Sequence, residues 1–113
     1  MSKLFEPAKV GPYDLSHRVV MAPLTRMRSD QPGNLPSDLM VDYYTQRASE
    51  GGLIVSEATP VALRGYGYAG TPGIYSDDQI PGWRRVTDAW VWTMCSRSGM
   101  SSRWIRPACS HSS

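Results

Sequence analysis

The sequence predicts an α/β fold built on parallel strands, and three observations carry that prediction. Two short apolar runs, Val19-Val20-Met21-Ala22 and Leu53-Ile54-Val55, each give way to polar side chains and a proline. A stretch of helical periodicity lies between them and a second one follows, so the order is strand, helix, strand, helix. No glycine-rich phosphate fingerprint follows either strand directly. The alternation favours a parallel sheet or barrel, because parallel strands need a crossover between them. Strands this apolar read as buried on both faces, and in such folds ligands gather at the carboxyl ends of the strands.

The first strand sits in "RVVMAPLTRMRS". Pro23 removes a backbone donor and ends the ladder, and Thr25, Arg26, Arg28 and Ser29 crowd the exit. Arg26 and Arg28 have the chemistry of phosphate ligands but read first as surface or ion-pair arginines. His17, in the lead-in hairpin, reads as an ordinary surface histidine. The loop "SDQPGNLPS" is dense in turn formers. Ser37 is placed to cap a helix running to Glu50, with Asp38 in the first turn where a carboxylate suits the helix dipole. Leu39, Met40, Tyr43, Tyr44 and Ala48 give it one apolar face, Asp42, Gln46 and Glu50 face water, and Gly51-Gly52 stops it.

The second strand ends in Ser56, Glu57 and Thr59 before Pro60, repeating the pattern of the first, and Glu57 reads as a hydrogen-bonded or paired structural carboxylate. A glycine- and tyrosine-rich loop, "ALRGYGYAGTPGIYS", comes next. Ser76 and Gln79 form a capping box for a second helix carrying Ile80, Trp83, Val86 and Thr87 at helical spacing, with Pro81 as an alternative start. Gly65, Gly67 and Gly70 spell a dinucleotide fingerprint, but no strand feeds it and no helix opens from it. A Walker loop is absent too. The two strands should lie side by side and parallel, with a right-handed crossover between them. The TIM barrel is the architecture that fits.

The totals exclude several classes. The chain has 113 residues, a mean hydropathy of −0.37 and a net charge of +2, which suits a globular protein rather than a nucleic-acid binder or a membrane span. "MSKLFEPAKV" has no apolar core of a secretory signal, so the expected location is the cytoplasm. Charge is unevenly spread: residues 1–89 carry nine Lys/Arg against ten Asp/Glu, whereas residues 90–113 carry three arginines and no acid.

Three stretches, "LFEPAKVGPYDLSHRVVMAPLTRMRS", "YYTQRASEGGLIVSEAT" and "GYGYAGTPGIYSDDQIPGWRRVTDA", resemble in order and spacing the start of the old yellow enzyme family. These are FMN-dependent NAD(P)H oxidoreductases and ene-reductases, and the likeness is greatest to the bacterial N-ethylmaleimide and nitroester reductase branch. It implies that residues 1–89 are the N-terminal fragment of a TIM (β/α)8 barrel, about two β/α units of an FMN-binding domain. It further implies that Ala22, Pro23, Leu24 and Thr25 wrap one edge of the flavin, with the Thr25 hydroxyl donating toward the carbonyl and N5 region. Ala58 would be the small residue beside the ring and Tyr68 a substrate-side aromatic, with Tyr66 as its alternative. No catalytic residue is assigned by the resemblance within this chain. The implied substrate is a small enone or nitro compound, with FMN and NAD(P)H as cofactors.

After Ala89 the resemblance stops. The family continues to a third strand and a Gln-Leu-Trp-His-Val-Gly-Arg motif, while this chain reads "WVWTMCSRSGMSSRWIRPACSHSS". Ser98-Gly99-Met100-Ser101, encoded as TCT GGC ATG TCN after a codon ending in C, gives Leu-Trp-His-Val when read one base earlier. Residues 90–113 are therefore expected to be a frameshifted, poorly ordered tail, and the chain to be inactive alone. The alternative is a non-enzymatic truncated product or interaction fragment. Arg103, Trp104 and Arg106 make too small a basic patch for nucleic acid, and Cys95, Cys109 and His111 lack a zinc spacing. No metal site and no membrane contact are expected.

Overall fold

The computed structural model describes residues 2–98, with side chains to residue 90. A short antiparallel hairpin leads in: β1 (Ala8–Val10) pairs with β2 (Tyr13–Leu15), Val10 opposite Tyr13 across the Gly11-Pro12 turn. Gly11 takes the turn's positive φ of 58° with nothing near its Cβ position. β3 (Val20–Met21) then pairs in parallel with β4 (Leu53–Ile54), Val20 opposite Leu53 and Met21 opposite Ile54. The Val55 amide extends the ladder to the Met21 carbonyl at 3.0 Å. The parallel neighbours expected from the sequence are present.

Between them runs α1 (Asp38–Arg47), capped as expected by Ser37, whose Oγ accepts from the Met40 amide at 3.4 Å. The same hydroxyl donates to the Arg28 carbonyl, tying the helix start to the loop after β3. α2 (Ile80–Ser98) follows a 3-10 turn (Asp77–Gln79), and the Ser76–Gln79 capping box is formed. Met40 and Tyr44 of α1 and Val86 of α2 make the core, with Met21, Ile54 and Trp83 packed on it. Thus β3 and β4 turn alternate side chains toward the helices, as the two-residue period of a strand requires.

Four expectations need correction. The strands are not buried on both faces: Val19 is 50% exposed, Val20 43% and Val55 43%. The helices cover one face of the two-stranded sheet, and no further strand among the described residues covers the other. Leu39 lies outside the core at 61% exposure, because Met40, Tyr44 and Ala48 define the buried face of α1. The helix ends at Arg47 rather than Glu50: Ala48 is already extended, and Ser49 turns back to His17. Gly51 is consequently no helix cap. Its φ of 65° serves a turn packed on Ser16, whose amide donates to the Gly51 carbonyl at 2.9 Å.

His17 is also more than a surface histidine. Its Nδ1 accepts from the Val19 amide at 3.2 Å, which leaves the proton of the neutral ring on the nitrogen beside Ser49 Oγ at 2.9 Å. The ring thereby joins the entry to β3 with the turn before β4. At the other end, α2 runs on through Ser98, past the expected family boundary at residue 89. The remainder of the expected disordered tail, residues 99–113, lies outside the described residues. No helix among those described is long and apolar enough to cross a membrane.

α2 leans on the residue preceding the α1 cap. Arg85 Nη2 donates to the Pro36 carbonyl at 3.1 Å, and its Nη1 pairs with Asp38 at 3.1 Å. Gly82 makes the close approach possible: a Cβ there would lie 2.8 Å from Pro36 Cδ and 2.9 Å from its carbonyl oxygen. Glycine to alanine in a helix normally stabilises by about 1 kcal/mol. Here the sign should invert, with Gly82→Ala costing about 1–3 kcal/mol in urea unfolding because the two elements must part.

Candidate functional site

The carboxyl ends of β3 and β4 are joined side by side by two hydrogen bonds. The Ala58 amide donates to Thr25 Oγ1 at 3.4 Å, and the Arg26 amide donates to Glu57 Oε2 at 3.2 Å. Pro23 suits this place because the chain leaves the ladder there and no donor is left over. Ala22, Pro23, Leu24 and Ala58 are exposed, Leu24 by 48%, while Thr25 is half-buried. The structure thus brings Thr25 and Ala58 together and presents the preceding residues as an open ledge beside them.

What holds the ledge is Glu57, 3% exposed, with Tyr44 from α1, also 3% exposed. The Tyr44 hydroxyl donates to Glu57 Oε1 at 3.3 Å and accepts from the Glu57 amide at 3.0 Å. Burial raises the Tyr44 phenol to about 12, with the nearby Glu57 carboxylate adding to the rise and the Glu57 amide bond opposing it. The phenol therefore stays a donor through the physiological range. The reading of Glu57 as a hydrogen-bonded structural carboxylate agrees with this geometry. Tyr44 in this role was not foreseen, although a tyrosine on a buried helix face needs a partner for its hydroxyl.

Tyr68 sits apart from that ledge, 63% exposed, on the loop between β4 and α2. Ser29 holds that loop, its Oγ at 2.7 Å and its amide at 3.2 Å both donating to the Gly70 carbonyl. Gly70, at φ 81°, passes so close to the Met27 carbonyl that a Cβ would lie 3.2 Å from it. Tyr66, the alternative to Tyr68, is engaged elsewhere: its hydroxyl donates to the Tyr75 hydroxyl at 3.1 Å. Burial and that contact raise Tyr66 to about 12, and accepting the bond lowers Tyr75. Gln79, fully buried, pins the far end of the loop. Its Oε1 accepts from the Tyr75 and Ser76 amides at 2.9 and 3.1 Å, and its Nε2 donates to the Gly33 carbonyl at 2.9 Å.

Arg26 and Arg28 are exposed and line a groove with α1 rather than forming ion pairs among the described residues. No group of three or more His, Cys, Asp or Glu able to hold a metal occurs among the described residues.

Comparison with known proteins identifies the family. Residues 3–91 match the NADH:flavin oxidoreductase / NADH oxidase family. The chain is 52% identical over 92 residues to flavin oxidoreductase hxnT of Emericella nidulans, covering 79% of this chain and 24% of that protein. NADP-dependent oxidoreductase lnbE of Aspergillus flavus is 52% identical over 90 residues, with 79% of this chain and 24% of the relative covered. Putative 12-oxophytodienoate reductase 4 of Oryza sativa subsp. japonica is 52% identical over 86 residues, with 76% and 22% covered. The chain therefore spans about a quarter of the length of these curated relatives, which are fungal and plant proteins. FMN and NAD(P)H are the cofactors that the family and these relatives support. With most of its length matched to the family and half of the aligned residues identical, the chain belongs to the old yellow enzyme family of NADH:flavin oxidoreductases.

Proposed function

We propose that this chain carries one edge of the flavin site of an FMN-dependent NAD(P)H oxidoreductase that reduces activated alkenes or nitro compounds, and that alone it does not turn over. The observation that supports the reading most is the bond from the Ala58 amide to Thr25 Oγ1. With its oxygen already accepting, the Thr25 hydroxyl keeps its proton for an outside acceptor. Ala22, Pro23, Leu24 and Ala58 offer a ledge of small or apolar groups beside that donor, which suits a planar ring edge. Bound FMN would supply the hydride chemistry between NAD(P)H and substrate, while the protein sets its orientation and electronics. Thr25 would hold a proton against the electron-rich edge of the ring. Ala58 would leave space beside it, and Tyr68 would face substrate from a loop fastened by Ser29.

A TIM barrel takes roughly 250 residues to close eight strands, and one open ledge leaves most of an FMN-sized ligand in water. These two points support a chain that is inactive alone; a cytoplasmic setting and a shifted reading frame for residues 90–113 are further parts of the proposal. The rival reading, a non-enzymatic fragment, draws on the same open strand face. Reading the nucleotide sequence across and beyond codon 89 tests the tail directly: a family-like continuation in another frame is expected. In the protein made from that frame, Thr25→Ala should lower the flavin reduction potential while FMN is retained. An unchanged potential would remove Thr25 from the site.

A further inference from the structure

We propose that Glu57 sets the reduction potential of the flavin, its buried carboxylate holding one negative charge behind the Thr25–Ala58 edge. The proposal rests on the flavin-edge reading and deepens it. Glu57 and Ala58 are neighbours with opposite surroundings: Ala58 lies exposed on the ledge, while Glu57 is 3% exposed. Glu57 Oε2 accepts from the amide of Arg26, the residue after Thr25, at 3.2 Å. The charge is thus tied to both sides of the edge, by the chain to Ala58 and by a hydrogen bond to the backbone beside Thr25. Glu57 Oε1 accepts from the Tyr44 hydroxyl at 3.3 Å, so both oxygens act as acceptors, as in the ionised form.

Holding the ledge does not by itself require a charge. A glutamine in this place would offer its oxygen to the Arg26 amide and its NH2 group to the Tyr44 hydroxyl oxygen, which has a second lone pair beyond the one taken by the amide of residue 57. An ionised carboxylate out of water is the costlier choice unless a cation pairs with it. No guanidinium lies within ion-pair distance of Glu57 among the described residues. Of the arginines that share a groove with it, Arg47 lies 3.9 Å and Arg26 5.8 Å from the Tyr43 ring centroid. Arg28 is exposed, where water and salt screen its charge. A buried negative charge opposes the addition of electrons nearby, because little solvent screens it. It therefore lowers the potential, whereas a proton offered by Thr25 raises it. The two residues act on the ring edge with opposite sign.

The premise is tested on the 113-residue chain itself: carbon-13 NMR of glutamate-labelled protein should show Glu57 as a charged carboxylate at pH 7, and a protonated Glu57 would overturn the proposal. In the protein made from the family-like reading frame, Glu57→Gln should retain FMN and shift the two-electron reduction equilibrium about tenfold toward the reduced form, about 30 mV upward. Glu57→Asp, which keeps the charge, should stay near the wild-type potential. Thr25→Ala should move it downward, so loss of the charge and loosening of the ledge are told apart by sign. An unchanged or lowered potential in Glu57→Gln would overturn the proposal. Should that variant fail to fold, Glu57→Met combined with Tyr44→Phe removes the carboxylate and its hydroxyl partner together, and the potential should again rise. Failure of both to fold would leave Glu57 a structural role only and overturn the proposal. A normal Thr25→Ala response beside a silent Glu57→Gln would overturn this proposal alone, while a restored protein that binds no FMN would overturn the flavin-edge reading as well.

Discussion

Gln79→Ala should destabilise the chain by about 3–4 kcal/mol in urea unfolding, because each stranded buried backbone group costs about 1–3 kcal/mol. Three such groups depend on this one side chain: the Tyr75 and Ser76 amides and the Gly33 carbonyl. Gln79 is fully buried, so water does not replace the amide without opening the loop. Gln79→Glu keeps the acceptor but loses the donor to Gly33, and it should fall between wild type and alanine. Amide exchange should accelerate first at Tyr75 and Ser76. A loss below about 1 kcal/mol would mean that the loop is fastened elsewhere.

The second large effect belongs to Tyr44. Removing its hydroxyl in Tyr44→Phe breaks the bond to Glu57 Oε1 and deprives the Glu57 amide of its acceptor, both in a buried setting. A cost of about 2–3 kcal/mol follows from leaving a charged acceptor and an amide short of partners. The pH dependence has a definite sign. The Tyr44 phenol is raised from 10.0 to about 12 in the fold. Its contribution is therefore complete below pH 10 and is lost as the pH rises through about 12, where the unfolded chain already carries the phenolate. The stability gap between wild type and Tyr44→Phe should shrink across that window. A gap constant from pH 9 to 12, followed by urea titration at each pH, would contradict the assigned burial and its cause.

Sequence reasoning reached the parallel pairing, the Ser37 cap and the Ser76–Gln79 box because each is a local pattern with its own chemistry. Apolar β-branched runs, a hydroxyl before an acidic first turn and a Ser-x-x-Gln spacing act over a few residues. The misses depended on what the chain packs against. Val19, Val20 and Val55 have the composition of buried strands, but burial is set by neighbours, and the described residues supply helices on only one face. Gly51 had the composition of a helix stop, yet Ser49 and His17 draw the chain out of the helix at Ala48. Around the site, Thr25 and Ala58 were named by family likeness. The Tyr44–Glu57 clamp beneath them spans α1 and β4, and no local pattern announces it.

The most direct test of the flavin-edge account is equilibrium dialysis of FMN against the 113-residue chain and against the protein made from the family-like reading frame. The account predicts a colourless chain that takes up no stoichiometric FMN and does not oxidise NADPH with an added enone. The restored protein should bind one FMN and gain turnover at the same time. A ligand of that size needs most of its surface enclosed, while Ala22, Pro23, Leu24, Thr25 and Ala58 provide one ledge. Stoichiometric yellow flavin on the 113-residue chain itself would contradict the account, because the ledge would then be a complete site.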